Sequence, residues 1–339
     1  MALYRFSTIH VSRGKGDGAI KRAAYNGRCE LSDERTGQAW NYSGRSGLEA
    51  SDIFVPDGAP KWMRDRQALW NEAAAAEDLS RRRDTAREAR DFKISLPHEL
   101  NAQQREWLVK DFARYLVRKG MVVDWAIHAP DDHSDSRHYH AHLLTTTREI
   151  TREGFGNKVR EWDKRETLQE WRERFAEMGA KQLERAGFKL EAERYREAFG
   201  TLQEQRRKAI QRGDMEHAER LDREPTRPMG PKAAAMERDP KRRIRTVRGN
   251  QNREIVARNE QRSQTREKAR TGGVARDGRK AGGRAGKALG GLGTGVLGIM
   301  DALVASGPKT PEEKERDRLL REKRDRQAER QHKERERDR

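Results

Sequence analysis

The stretch Met121-Val122-Val123-Asp124-Trp125-Ala126-Ile127-His128 is mostly apolar and β-branched. Beyond a polar turn comes Arg137-His138-Tyr139-His140-Ala141-His142-Leu143-Leu144-Thr145-Thr146-Thr147-Arg148. Gly120 precedes the first run, and the Asp- and Ser-rich segment 129–136 separates the two, so the pair reads as an antiparallel hairpin. Side chains on a strand repeat every two residues, so His138, His140 and His142 share one face while Tyr139 and Ala141 take the other. His128 ends the first strand and is brought alongside them. Five of the nine histidines fall within 128–142. Neutral imidazoles converging on one spot make a divalent-metal site with open coordination positions. The expected trio is His128, His140 and His142, with His138 and His133 in reserve. Imidazole suits several first-row ions, so the ligands alone leave zinc open.

Outward from the hairpin, Pro97 ends a strand over 91–96. Asn101 then caps an amphipathic helix running to Arg118, with Trp107, Leu108, Phe112 and Leu116 on its apolar stripe. Upstream, 3–11 reads as a strand and 12–18 as a flexible basic loop. That loop lacks the GxxxxGK[ST] spacing of a phosphate-binding P-loop. A short helix over 19–26 is closed by Gly27, a strand is expected over 51–55, and 57–60 makes a turn. Trp62, Leu69 and Ala73 form one stripe of a helix over 62–77, and downstream a long helix over 164–186 stops at Gly187. The pattern is α+β, a mostly antiparallel β-sheet with flanking helices, followed by a charged helical or disordered C-terminal tail.

Composition sets the boundaries. All seven Trp, six Tyr and eight Phe lie between Tyr4 and Phe199. A packed core needs such side chains, so 1–199 is the expected folded domain. Residues 200–240 form a helical extension interrupted by Pro225, Pro228, Pro231 and Pro240, and 241–339 a basic, aromatic-free tail. From Gly200 onward there are 38 Lys and Arg against 23 Asp and Glu, whereas the first 199 residues hold 36 against 33. The positive excess therefore belongs to the tail, which suits a polyanion partner through phosphate contacts and counterion release, or else merely solubilises the chain. The stretch 310–339 is a charged helix candidate with almost no apolar face. The single cysteine, Cys29, permits no internal disulfide and fits a reducing cytoplasm. The N-terminus lacks the apolar core of a signal peptide. The most apolar tail segment, 288–305, is too rich in glycine for a spanning helix but leaves membrane-surface contact open.

Tyr25 lies near the end of the 19–26 helix, with Lys21 and Arg22 four and three residues earlier. A free phenol, with a pKa near ~10, is a weak nucleophile that nearby cations favour as phenolate. The residues alone do not choose among six tyrosines: Tyr4 and Tyr139 fall in strands, Tyr115 and Tyr195 in helices, Tyr42 among polar residues. Arg13, Lys15, Lys21 and Arg22 are candidate phosphate contacts.

Several stretches, in order, decide further. They are Ala2-Leu3-Tyr4-Arg5-Phe6, Ser12-Arg13-Gly14, Ala23-Ala24-Tyr25, Asp33-Glu34-Arg35-Thr36-Gly37 and Pro56-Asp57-Gly58-Ala59-Pro60. They continue with Ala89-Arg90-Asp91, Leu96-Pro97-His98-Glu99-Leu100, Ala126-Ile127-His128, His140-Ala141-His142-Leu143 and Glu224-Pro225-Thr226. In these the chain resembles the MobA/MobL relaxases of mobilisable and conjugative plasmids, members of the HUH endonuclease superfamily. The resemblance implies the HUH relaxase fold, Tyr25 as nucleophile, His140 and His142 as the paired histidines, and His128 completing a site for Mg²⁺ or Mn²⁺. Asp91 stands where the family usually has Glu, and it serves either as an acid or base near the tyrosine or as an ion-pair partner of Arg90 or Lys93. After Gly187, Lys189-Leu190-Glu191 replaces the family's usual basic motif.

The implied activity is nicking of one strand at a plasmid transfer origin, single-stranded or melted, through a 5′-phosphotyrosine intermediate that later allows rejoining. Implied partners are accessory relaxosome proteins and a type IV secretion coupling protein. The implied location is the bacterial cytoplasm, with translocation to a recipient cell. The competing readings are a rolling-circle replication initiator with the same chemistry, a zinc hydrolase, and a non-catalytic basic DNA-binding protein.

Overall fold

Five strands form one sheet in the computed structural model, which describes residues 4–280 apart from 16–17, 82, 131–134 and 239–245. His133, the segment 288–305 and the stretch 310–339 lie outside the described residues. The sheet strands are β1 (Phe6–Ser12), β4 (Leu48–Phe54), β5 (Arg87–Ser95), β6 (Val123–His128) and β7 (His140–Thr146). Their spatial order is β1-β5-β7-β6-β4, and every neighbouring pair is antiparallel. The fold is thus the expected α+β class. The β6–β7 hairpin forms as its alternation predicts, and β7 takes the centre of the sheet.

Both faces of the sheet are covered. On one, Phe92, Trp125, Ile127 and Leu143 pack against α3 (Ala102–Arg118), α4 (Arg165–Arg185) and α5 (Lys189–Glu197). Each large side chain withdrawn from water there contributes about 1.5–3 kcal/mol. On the other, Ala89 and Leu144 pack against α1 (Ala19–Gly27) and α2 (Arg66–Asp78). Strand β6 is buried along its whole length because it is covered on both sides. Asn101 caps α3 as the sequence leads one to expect, and Gln104 completes a reciprocal capping box at the same end. Trp107, expected on the apolar stripe of that helix, is instead 49% exposed, since it falls one position off the face that meets the sheet.

Other departures have local causes. The helix expected over 62–77 is split: Lys61–Arg64 is a 3₁₀ turn, and Asp65 caps α2 by accepting from the Ala68 amide at 2.7 Å. Gly27 lies inside α1, and Arg28 takes the left-handed capping position with φ 51°. Gly27 is required by close approach, because a Cβ there would sit 2.8 Å from the Arg66 guanidinium. Arg66 in turn forks onto Asp124 of β6 at 2.8 and 2.9 Å, and Trp70 Nε1 donates to the same carboxylate at 2.9 Å. This cluster ties α1 and α2 to the sheet.

Two small hairpins escaped the sequence reading: β2 (Glu30–Asp33) with β3 (Gln38–Asn41), and β8 (Arg148–Ile150) with β9 (Phe155–Lys158). Their strands span only three or four residues, too few to show a period. Beyond α5 follow α6 (Leu202–Gln211), α7 (Met215–Leu221), α8 (Pro231–Arg238) and α9 (Val247–Lys280). Ala209, Ala218 and Leu221 make a small core between α6 and α7. By contacts the chain divides into two units, Met1–Glu260 and Gln261–Arg339. Among the described residues no helix is long and apolar enough to cross a membrane.

Candidate metal centre and nucleophile

Strand register assembles the site. His140 on β7 pairs directly with His128 on β6, so both side chains leave the same face as neighbours. His142 lies two residues on, again on that face, and Asp91 of β5 sits diagonally across from it. Helix α1 covers this face and brings Tyr25 and Asn26 over the histidines.

The three imidazoles each offer a nitrogen, and these nitrogens all lie within 4.8 Å of one another. Their ring centroids are separated by 5.3, 5.3 and 5.5 Å. His138, held in reserve by the sequence, does not join them: its carbonyl lies 3.1 Å from Nδ1 of His140 and acts as the acceptor.

Each ring has one nitrogen engaged by an oxygen acceptor. His142 directs Nδ1 at Asp91, His140 directs Nδ1 at the His138 carbonyl, and His128 directs Nε2 at the Asn26 carbonyl at 2.7 Å. An imidazole nitrogen facing such an acceptor carries the proton, which leaves the opposite nitrogen with its lone pair. In His128 that opposite atom, Nδ1, is buried and makes no hydrogen bond within the protein. A buried polar atom left so is costly unless something else satisfies it. The donor set therefore fits a divalent cation, with the oxygen acceptors behind it orienting the ligands. Burial pushes the His128 imidazole down to about 4 and that of His140 to about 3, with the Lys93 cation adding to the effect at His140. Both rings are neutral near pH 7, the form that coordinates metal.

Tyr25 stands over this cluster, its ring centroid 6.4 Å from that of His142 and 6.5 Å from that of His128. The structure thus brings Tyr25, Asp91, His128, His140 and His142 together. It treats the four basic candidates differently. Arg13 is turned inward: its guanidinium pairs with Glu88 and Asp78 and donates to the Ala74 carbonyl, so it holds the fold and is not offered to a surface phosphate. Arg22 reaches behind the site, with Nη1 3.7 Å from Asp91 Oδ2. Lys21 covers the Trp40 ring at 4.5 Å. Lys15 lies in a 3₁₀ turn over Arg13–Lys15.

Cations that the sequence reading passed over stand nearer the phenol. Arg28 lies 4.5 Å from the Tyr25 ring centroid and Arg45 5.3 Å, while Tyr42 meets the ring edge-on at 5.4 Å. Arg28 could have been found as the i+3 neighbour of Tyr25. Arg45 and Tyr42 could not, because the segment that delivers them follows the unrecognised β2–β3 hairpin.

Comparison with known proteins gives consistent findings. The model of the MobA/MobL family matches residues 17–239. The chain is 36% identical over 169 residues to the conjugal transfer protein TraA of Agrobacterium fabrum, a match covering 47% of this chain and 14% of that protein. It is 31% identical over 266 residues to the mobilization protein MobL of Acidithiobacillus ferridurans, covering 70% of this chain and 64% of that one. A solved structure from work on the molecular basis of vancomycin resistance transfer in Staphylococcus aureus matches with a TM-score of 0.50 and 31% identity. That match covers 55% of this chain and 95% of the solved one. The chain thus spans a small part of TraA's length and just under two thirds of MobL's.

Proposed function

The chain belongs to the MobA/MobL family, and on that premise we propose that it is a plasmid relaxase, which nicks one DNA strand at a transfer origin by tyrosine transesterification. The observation that carries this reading is the Tyr25 ring lying 6.4 and 6.5 Å from two of three histidines whose coordinating nitrogens converge. A nucleophile and a metal-binding trio on one face are what attack on a phosphodiester requires.

His128, His140 and His142 would hold a divalent ion, Mg²⁺ or Mn²⁺, which would supply charge neutralisation at the scissile phosphate. Tyr25 Oη attacks the phosphorus, forming the tyrosyl O–P bond as the bond to the 3′-oxygen breaks. The phenol gives up its proton, and the departing 3′-oxygen takes one up. The products are a 5′-phosphotyrosine and a free 3′-hydroxyl. One phosphodiester replaces another, so the step is reversible and suits later rejoining. Arg28 and Arg45 flank the phenol and stabilise negative charge that develops beside it. Asp91 holds His142 in the coordinating tautomer.

The DNA partner is a single-stranded or melted origin segment. The partners beyond DNA are accessory relaxosome proteins and a secretion coupling protein, with the reaction set in the bacterial cytoplasm before transfer. Incubation of the full chain with an origin oligonucleotide and Mn²⁺ tests the proposal. A denaturant-resistant protein–DNA adduct, lost in Tyr25→Phe and on chelation, supports it. Intact oligonucleotide across Mg²⁺, Mn²⁺ and Zn²⁺ would leave a non-catalytic DNA-binding protein as the better reading.

A further inference from the structure

A basic cavity lies at the other end of the sheet. On β7 the triad begins at His140, while Thr145 and Thr146 at the strand's far end line a cavity of about 690 Å³. Six residues of strand separate His140 from Thr146, roughly 20 Å. Among the described residues, Arg81, Arg87, Arg90, Arg148, Lys158 and Arg160 contribute six cations to its wall, and Asp163 is the one carboxylate lining it. That single carboxylate is shared. Arg90 Nη2 donates to Oδ1, Arg87 Nη1 donates to Oδ2 at 3.4 Å, and His10 Nε2 lies 3.6 Å from Oδ1. Behind the wall Glu77 takes Arg148 at 2.7 Å and Lys158 at 2.9 Å.

We propose that this cavity is a second anion site, built for the phosphate of a nucleotide or of a DNA strand and separate from the histidine triad. Several observations carry it. Guanidinium groups bind phosphate as a planar fork, with two parallel hydrogen bonds. Arg90, 5% exposed, is fixed by Asp163 and by its stacking 5.3 Å over Trp171, so it is already oriented before a ligand arrives. The more exposed Arg81, Arg87 and Arg160 stand at the mouth, where positive charge of one sign draws an anion inward. Trp162 gives the wall a small apolar portion against which a base or sugar can rest. The volume falls in the range of small-molecule pockets. The β8–β9 hairpin and the turn at Arg160–Asp163 form the wall, so these short elements acquire a role beyond connecting β7 to α4.

The site is tested on the full chain carrying Tyr25→Phe, so that no covalent adduct accumulates and the result is independent of nicking. Binding of a fluorescent oligodeoxythymidylate, of dTMP and of inorganic phosphate is measured over a salt series. The same is done after adding Arg87→Gln with Arg160→Gln, and in a control with Arg185→Gln and Lys189→Gln that removes equal charge elsewhere. The pocket pair is expected to weaken oligonucleotide binding on the order of tenfold and to make the log K–log salt slope shallower by about 1.4, two single-strand phosphate contacts' worth. The control should change neither by that amount. Loss of dTMP binding in the pocket pair identifies a nucleotide ligand, and loss confined to the oligonucleotide identifies a DNA strand. Equal effects in both pairs, or no effect in the pocket pair on any of the three probes, would overturn the proposal.

Discussion

His142 donates from Nδ1 to the carboxylate of Asp91, 3.1 and 3.2 Å from its two oxygens, with both side chains buried. The carboxylate therefore fixes which nitrogen of His142 faces the other two histidines. Arg22 stands 3.7 Å from the same carboxylate, so a chain of opposite charges runs from α1 to the centre of the sheet. Aspartate here acts through the histidine. Replacing Asp91 with Asn removes the charge that holds this tautomer, and Mn²⁺ affinity is expected to fall about 10- to 100-fold. Calorimetric titration of the Asp91→Asn protein checks this. Unchanged affinity would assign Asp91 to fold stability alone.

Arg28 and Arg45 make the second prediction. Both guanidinium groups lie within 5.3 Å of the Tyr25 ring, and neither is one of the three converging ligands, although the Arg28 charge is also felt at His128. Each is expected to act on the reacting phosphate and not on the ion. Arg28→Gln and Arg45→Gln should each slow single-turnover nicking by roughly 10- to 100-fold, within the loss known for removing one preorganised charge-stabilising group. Mn²⁺ affinity should not fall in either variant. A parallel fall in metal affinity would contradict the separation of roles.

What the sequence disclosed follows from the length scale of its signals. The histidine face was legible because a strand has a period of two and His140 and His142 obey it. The α3 helix was legible because Asn101 announces its start and Leu108, Phe112 and Leu116 mark its apolar stripe. Tyr25 was different: periodicity gave six tyrosines and no choice, and family resemblance selected one. Arg13 misled, because a basic residue in a glycine-rich loop looks solvent-facing, whereas its partners Asp78 and Glu88 lie 65 and 75 residues away. The basic cavity was invisible for the same reason. Its wall is drawn from β1, β5, β7, the β8–β9 hairpin and the turn at Arg160–Asp163, and no local pattern joins them.

The Arg66–Asp124 pair predicts a stability effect. Asp124 is 3% exposed and receives Arg66 twice and Trp70 once. Removing the carboxylate leaves a partly buried guanidinium without its counter-charge, so Asp124→Ala should cost about 3 kcal/mol, the low end for a buried pair. Gly27→Ala disturbs the same guanidinium from the other side, since its new Cβ meets Arg66 at 2.8 Å. It should destabilise by less, about 1–3 kcal/mol, as a case of overpacking. Urea unfolding of both variants measures the order. An Asp124→Ala protein as stable as the parent would show that α2 is held by its apolar contacts alone.

Beyond the sheet, the link between α5 and α7 makes a prediction with a definite sign in pH. Arg194 forks onto Asp214 with both hydrogen bonds at 2.8 Å, and this holds the Asp214 carboxyl down at about 2. An unfolded chain would titrate it near ~3.9. Its folded pKa is the lower one, so the folded state favours the charged form. The pair's stabilisation is then fully present above about pH 4 and is lost as pH falls toward 2. Asp214 also caps α7 through the His217 amide, and an Asn at that position keeps an oxygen for the cap while losing the charge. The Tm of the parent should therefore exceed that of Asp214→Asn at pH 5, with the gap closing between pH 4 and pH 2. Thermal unfolding of the two proteins at matched ionic strength checks this. A gap that stays constant over that interval would mean that the ion pair contributes nothing to the α5–α7 junction beyond its hydrogen bonds.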